Sequence, residues 1–157
     1  MANIEKALQI AARAHEGQKD KEGLPYILHP IRVMMGVEGE KAQIVGVLHD
    51  VIEDTAVTAD DLRGAGFSEP VLAAVECVTH LRGQPYADYV VRCKANPVAR
   101  QVKLGDLEDN SRLSRAILRA ERMQADLARM RRYVLSYKFL TDQISEAEYR
   151  RLMEGAG

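Results

Sequence analysis

Apolar residues recur at helical spacing along almost the whole chain. Near the start, Ile4, Leu8 and Ala11 return at steps of three and four residues, which predicts an amphipathic helix over 3–17 that ends at Gly17. The same pattern predicts helices over 30–36, 40–53, 59–65, 69–81, 85–95, 97–110, 115–140 and 145–154. No stretch alternates apolar and polar residues well enough to predict a strand. The chain is therefore expected to be all-α.

The segment after Asn110 carries two series of residues at helical spacing. The apolar series is expected to face the core and comprises Leu113, Ala116, Ala120, Met123, Leu127, Met130 and Val134. The basic series comprises Arg112, Arg115, Arg119, Arg122 and Arg129. Because acidic residues are interspersed, the basic series predicts a solvated helix face rather than a surface for nucleic-acid phosphates.

Composition narrows the class of protein. The chain has 157 residues, of which 46% are hydrophobic and 29% are charged, so we expect one domain over 1–157 with the helix at 145–154 appended. A formal net charge of −1 argues against a protein held to nucleic acid or anionic lipid by bulk charge. No apolar run approaches the ~18 residues of a membrane span, and the N-terminus is too charged for a signal peptide. A cytoplasmic domain is expected.

Four segments hold an unusual share of the histidine, aspartate, glutamate and asparagine residues. Their candidate residues are His15, Lys19, Asp20 and Lys21 in the first, His29 in the second, His49, Asp50, Glu53 and Asp54 in the third, and Asp106 and Asn110 in the fourth. The chain has only four histidines. The succession of an HP pair, an HDxxED run and a KLxDxxxN run therefore favours a functional site over coincidence.

The third segment follows a run of apolar residues, which predicts that the adjacent His49 and Asp50 are held in the interior. Residues four apart on a helix share a face, so His49 is expected over Glu53 and Asp50 over Asp54. A buried, unpaired carboxylate is costly, and a divalent cation would remove that cost. Imidazole and carboxylate groups are ligands of Mn²⁺, Fe²⁺ and Zn²⁺, and the second and fourth segments could complete the ligand set.

The sequence resembles the HD-domain metal-dependent phosphohydrolases, and in particular the hydrolase domain of the RelA/SpoT alarmone family. The resemblance covers residues 1 to about 140 and rests on the runs AHEGQ (14–18), GLPYILHP (23–30), VLHDVIEDT (47–55), ECVTH (76–80) and VKLGDLEDN (102–110). It implies a helical bundle, in agreement with the helical periodicity. In the small alarmone hydrolases, which are the single-domain members, this domain is the whole protein.

The resemblance also implies roles for individual residues. The metal ligands would be His29, His49, Asp50 and Asp106, with Mn²⁺ as the usual ion. Glu53 and Asp54 match the acidic pair that activates and orients the attacking water. Asn110 matches a residue that contacts the substrate near its ribose and phosphates.

The implied reaction is hydrolysis of the 3′-diphosphate of a nucleotide such as (p)ppGpp. A metal ion lowers the pKa of its bound water, which then becomes a nucleophile near neutral pH. The water would attack the phosphorus attached to the ribose 3′-oxygen and displace that oxygen, which takes up a proton, so that pyrophosphate is released and a 3′-hydroxyl remains. The substrate's negative charges need basic partners, for which Lys21, Lys103 and Arg112 are the candidates.

One segment departs from the family pattern. After the glutamine the family has x-Arg-Lys-Ser-Gly, which helps to hold guanine, whereas this chain has Lys19-Asp20-Lys21-Glu22-Gly23. Arginine suits the O6 and N7 acceptors of guanine, while a carboxylate such as that of Asp20 suits the exocyclic amine of adenine. The adenosine analogue (pp)pApp is therefore a candidate substrate beside (p)ppGpp, and NADPH is a more distant one.

Two other functions stay open at this point. A metal-dependent nucleotidase or phosphatase would release orthophosphate instead of pyrophosphate. A non-catalytic regulatory domain would bind a nucleotide without turning it over. The complete HDxxED run favours the hydrolase.

Overall fold

The computed structural model describes residues 1–115 and 119–155, and these residues form α-helices without a strand. The helices are α1 (Ile4–Ala14), α2 (Leu28–Met35), α3 (Glu40–Leu48), α4 (Val51–Asp54), α5 (Ala59–Gly64), α6 (Glu69–Val78), α7 (Tyr86–Ala95), α8 (Pro97–Ser111), α9 (Met123–Leu140) and α10 (Glu146–Glu154). A 3₁₀ turn over Ala120–Arg122 precedes α9. The all-α prediction is confirmed. None of the described helices combines the length and the apolar character needed to cross a membrane.

Helix α3 lies at the centre of the fold because its second half, residues 44–48, is apolar on all sides. Its buried residues are Ala42, Ile44, Val45, Gly46, Val47 and Leu48. A helix that is apolar all round is stable only where neighbouring elements cover it. Helices α1, α2, α6 and α8 provide that cover. The C-terminal end of α3, which leads into His49, is thereby held in the interior.

Helices α2 and α3 approach each other closely at Gly46. A Cβ atom at this position would lie 3.1 Å from the Cα atom of Met34 and 3.3 Å from its backbone nitrogen. Helix α8 packs against both helices. These contacts set the relative positions of the elements that carry His29, His49 and Asp106.

The predicted helix over 40–53 is interrupted after Leu48. Residues His49 and Asp50 form a turn, and the chain becomes helical again as α4. Consecutive residues of a regular helix point about 100° apart. Here His49 Nε2 lies 3.0 Å from Asp50 Oδ2. The interruption thus lies at the two adjacent residues whose side chains approach each other.

The predicted helix over 115–140 is wrong at its start, because α9 begins only at Met123. Residues 113–115 form a turn, and Ala116 lies outside the described residues. The carboxylate of Asp126 accepts a hydrogen bond from the backbone N–H of Arg119 at 3.0 Å and pairs with its guanidinium. This bond ties the preceding segment across the first turn of α9 and stabilises the late start.

The apolar series of this segment does not face the core as expected. Leu113 is 94% exposed, and Leu127 and Val134 are each 51% exposed. The positions of α9 that turn inward include Asp126, Arg129, Tyr133 and Ser136. The first half of the helix therefore presents polar side chains to the inside of the molecule.

Helix α10 packs against α7 and α9. Its Tyr149 is fully buried, and its ring stacks on Phe139 with the ring centroids 4.7 Å apart. The Tyr149 hydroxyl lies 2.9 Å from the hydroxyl of Ser136. The helix predicted over 145–154 thus adds its own residues to the hydrophobic core.

Candidate active site

Four side chains from α2, α8 and the turn between α3 and α4 meet at one point. His29 Nε2 lies 3.2 Å from Asp106 Oδ1 and 3.7 Å from Asp50 Oδ2. His49 Nε2 lies 3.0 Å from Asp50 Oδ2 and 3.7 Å from Asp106 Oδ1. The structure therefore brings together all four residues that the sequence predicts as metal ligands.

The second nitrogen of each imidazole fixes the orientation of its ring. His29 Nδ1 lies 2.7 Å from Asp109 Oδ2, and His49 Nδ1 lies 2.8 Å from the carbonyl oxygen of Gly46. Both acceptors favour the tautomer that carries its proton on Nδ1, which leaves each Nε2 available to bind a cation. Arg32 donates to Asp109 at 2.7 Å and holds that carboxylate in place.

The charges around these residues favour a bound cation. Burial disfavours the charged form of His49, but Asp50 and Asp106 outweigh this effect and raise the pKa of His49 well above its usual value. Burial also opposes the charged form of Asp50, yet His49 lowers the pKa of Asp50 to about 2. Within the described residues, the buried His49 Nε2 has no hydrogen-bond partner. Two imidazole nitrogens and two carboxylates in this setting suit a divalent transition metal ion.

Asp106 is held by two residues that the sequence predicts as substrate ligands. Lys103 Nζ donates to Asp106 Oδ2 at 2.7 Å, and Asn110 Nδ2 donates to Asp106 Oδ1 at 2.6 Å. Lys103 is buried, and its ammonium lies 4.9 Å from the ring centroid of Tyr89. Both residues line the site, but each already binds the carboxylate of a predicted metal ligand.

Glu53 and Asp54 lie beside this centre on α4. Glu53 Oε2 accepts a hydrogen bond from the backbone N–H of His80 at 2.9 Å. The Tyr26 hydroxyl donates to Asp50 Oδ2 at 2.5 Å and lies 3.4 Å from Asp54 Oδ2. Burial and the charge of Asp50 raise the pKa of both Glu53 and Asp54. A carboxylate with a raised pKa is a better proton acceptor, as a general base requires.

A cavity of about 500 Å³ joins these acids to a group of basic residues. We call one group the acidic floor, which comprises His29, His49, Asp50, Glu53, Asp54 and Asp106. We call the other the cationic wall, which comprises Lys19, Lys21, Arg115, Arg129 and Arg132. Burial and the charges of Arg129 and Arg119 lower the pKa of Lys21. The five basic side chains of the wall suit a polyanionic ligand.

The structure separates the remaining predicted substrate ligands. Lys21 and Asp20 line the cavity, whereas Arg112 is exposed at the end of α8 and is not among the lining residues. The expectation of a solvated basic series is wrong for Arg115 and Arg129, whose side chains are 15% and 18% exposed and line the cavity. The wall therefore includes Arg129 of α9 and Arg115 of the turn after α8, but not Arg112.

Several site residues were not found by sequence analysis. Tyr26 and Asp109 each lie three residues from a predicted metal ligand, His29 and Asp106 respectively, so helical spacing within the motifs could have revealed them. Arg132 and Tyr133 lie in none of the motifs, so no sequence pattern pointed to them. The apolar series of their segment pointed to a different face of α9.

No family model matches the chain. A GTP pyrophosphokinase of Streptomyces coelicolor is 34% identical to it over 133 residues, which are 76% of this chain and 16% of that protein. A guanosine-3′,5′-bis(diphosphate) 3′-pyrophosphohydrolase of Aquifex aeolicus is 32% identical over 120 residues, which are 68% of this chain and 17% of that protein. The chain thus spans less than a fifth of the length of these two relatives.

A solved structure extends the comparison to the whole fold. It is described as a metazoan ortholog of SpoT that hydrolyses ppGpp, and it matches 100% of this chain and 97% of its own with a TM-score of 0.69 and 23% sequence identity. The fold and the site together define an all-α HD-type domain with a histidine–aspartate centre. By its sequence, the chain is a hydrolase-type domain of the RelA/SpoT family.

Proposed function

We propose that the chain is a metal-dependent 3′-pyrophosphohydrolase of nucleotide alarmones. Its substrates would be (p)ppGpp or the adenosine analogue (pp)pApp, and its products pyrophosphate and a nucleoside 5′-di- or triphosphate. The observation that carries the proposal is the convergence of two imidazoles and two carboxylates on the acidic floor of a cavity that also has a cationic wall. The names of the relatives, which include ppGpp 3′-pyrophosphohydrolases, support it.

The cation would be held by His29, His49, Asp50 and Asp106, with Mn²⁺ as the proposed ion. When bound, such an ion lowers the pKa of water and stabilises negative charge on phosphate oxygens. The protein contributes the orientation of the ligands. Asp109 and the Gly46 carbonyl oxygen direct the two imidazoles, and bonds from Lys103 and Asn110 hold Asp106.

Glu53 and Asp54 would take up the proton of the attacking water. Their raised pKa values support this role, since a base is most effective when its pKa approaches the working pH. The bond from the His80 N–H fixes Glu53, and Tyr26 lies within reach of Asp54. Both acids are thereby kept close to the centre without occupying it.

The cationic wall would neutralise the substrate's phosphates. Lys21 and Arg129 line the cavity, and a polyphosphate placed between wall and floor would contact basic side chains on one side and the proposed metal ion on the other. Lys103 and Asn110 both donate hydrogen bonds to Asp106, so they would contact the substrate next to that carboxylate. The sequence also predicts Arg112 and Asp20 as substrate ligands; Arg112 lies outside the cavity lining, whereas Asp20 is part of it.

Product analysis tests this proposal. Purified protein loaded with Mn²⁺ would be incubated separately with ppGpp, pppGpp, ppApp and NADPH, and pyrophosphate and orthophosphate would be measured. We expect pyrophosphate from at least one 3′-diphosphate nucleotide, with loss of turnover when a chelator removes the metal and recovery when Mn²⁺ is returned. Release of orthophosphate alone would indicate a phosphatase. Tight binding without turnover would indicate a regulatory domain.

A further inference from the structure

The carboxylate of Asp20 organises the loop formed by residues 19–25. Asp20 Oδ1 accepts hydrogen bonds from the backbone N–H groups of Glu22 and Leu24, both at 2.9 Å. The Asp20 N–H donates to the Leu24 carbonyl oxygen at 2.8 Å, and Lys19 and Pro25 form an antiparallel bridge. The Asp20 side chain is only 6% exposed. Its first oxygen is therefore committed to closing the loop.

The second oxygen of Asp20 faces Arg115, which lies 95 residues further along the chain. Arg115 Nη1 is 3.4 Å from Asp20 Oδ2, and Arg115 Nε is 3.4 Å from Asp109 Oδ2. The guanidinium is thus held between an acid of the loop and an acid of α8. Among the described residues, no other basic side chain lies within ion-pair distance of Asp20.

The two acids depend on Arg115 to different degrees. Asp109 also binds Arg32 and His29, each at 2.7 Å, so it keeps its position and its charge balance without Arg115. Asp20 would retain only its loop N–H bonds. A buried carboxylate without a cationic partner is unfavourable. It would also repel a polyanion in the cavity that Asp20 lines.

We propose that Arg115 is a positioning residue for nucleotide binding, which acts by neutralising Asp20 and holding the 19–25 loop against the chain that follows α8. This inference rests on the proposed function. It assigns Asp20 to loop closure rather than to contact with the base. The side chain of Arg115 reaches the metal ligand His29 only through Asp109, which Arg32 secures independently, so the effect falls on substrate affinity rather than on metal binding.

The central variant is Arg115→Met, which keeps the apolar stem and removes the charge. NMR amide exchange of Glu22 and Leu24 should become about tenfold faster, since the loop opens more often. The KM for ppGpp should rise about tenfold, which equals about 1.4 kcal/mol. The kcat and the Mn²⁺ affinity should stay within about threefold of the wild type. Arg151→Met, an exposed arginine of α10, is the matched control and should change none of these values.

Two further variants distinguish neutralisation from general loss of structure. Arg115→Lys keeps the charge and should restore most of the substrate affinity. Asp20→Asn keeps an acceptor for the loop N–H groups and removes the charge to be neutralised. In the Asp20→Asn background, Arg115→Met should therefore raise KM much less than it does in the wild type, a non-additivity expected of residues in direct contact.

The outcomes that overturn the inference are distinct from failure of the proposed function. Unchanged amide exchange and unchanged KM in Arg115→Met would refute it, and so would an additive double variant. A fall in Mn²⁺ affinity of more than tenfold would show that Arg115 acts through the metal ligands instead. If the wild type hydrolyses no alarmone, the proposed function fails, while amide exchange still reports whether Arg115 holds the loop.

Discussion

The acidic floor and the cationic wall lie at the same cavity but are built in different ways. The floor residues come from α2, α8 and the α3–α4 region, which pack directly around the core at Gly46 and α3. The wall residues come from the 19–25 loop, the turn after α8 and the polar inner positions of α9. The floor is therefore placed by hydrophobic packing, whereas the wall is placed by ion pairs between distant segments such as Asp20 and Arg115.

The pKa shifts show the same contrast in electrostatic terms. On the floor, Asp50 and Asp106 raise the pKa of His49 against the opposing effect of burial. On the wall, burial and neighbouring arginines lower the pKa of Lys21. Acidic groups therefore act on the histidine of the floor, and arginines act on the lysine of the wall. A metal ion with a polyphosphate bound to it would match both surfaces at once.

Removal of a metal ligand should have the largest effect. Asp50→Ala deletes a carboxylate that lies 3.0 Å from His49 Nε2, so we expect metal binding and turnover to be abolished. Metal content after dialysis against Mn²⁺ and the rate of pyrophosphate release would measure this. Asp60→Ala is the matched control, because Asp60 is 92% exposed on α5. Full metal content in Asp50→Ala would show that the acidic floor is not the metal site.

Loss of Glu53, the proposed general base, should have the second-largest effect. Glu53→Gln keeps the size of the side chain and its bond to the His80 N–H but removes the proton acceptor. Turnover should fall by about 10²- to 10⁴-fold while metal content is retained. Glu76→Gln, an exposed glutamate of α6, should behave as the wild type. A rate within a factor of about three of the wild type would exclude Glu53 as the proton acceptor.

Substitution of a residue of the cationic wall should weaken substrate binding and leave metal binding unchanged. Arg129→Met removes a charge from the cavity lining. Because a hydrogen bond to a charged group contributes about 1.5–3 kcal/mol, the KM for the substrate should rise about 10- to 100-fold with metal content unchanged. Arg131→Met is the control, since Arg131 lies on α9 and binds the carbonyl oxygen of Gly155 instead. Loss of metal in Arg129→Met would contradict the separation of wall from floor.

The smallest effect is expected for Asp126, whose bonds to Arg119 should make the stability of the segment around the wall depend on acid pH. Bonds from the side chain and backbone of Arg119 lower the pKa of Asp126. A carboxyl group whose pKa is lowered by folding adds stability above its unfolded pKa of about 4, and this contribution is lost as the pH falls through the folded value. The melting temperature of Asp126→Asn should therefore drop less between pH 5 and pH 2, roughly, than that of the wild type. Parallel melting curves for the two proteins would show that Asp126 does not stabilise this segment.

The sequence predicted the floor far better than the wall. The floor residues lie on or next to helices that the apolar pattern predicts, and the all-α fold and the RelA/SpoT resemblance are confirmed. The interruption at His49 was missed because the apolar run continues through it. The wall depends on contacts between residues such as Asp20 and Arg115, which no local pattern reveals. Its α9 residues were masked by an apolar series that is in fact exposed at Leu127 and Val134.

The close approach at Gly46 links the relative position of the two imidazoles to the absence of a single methyl group. An alanine there would force the α2 backbone at Met34 to move by a few tenths of an ångström. His29 lies on α2 and His49 follows α3, so the relative position of the two rings would change with it. The packing of two backbones thus controls the spacing of the two imidazoles without touching either ring.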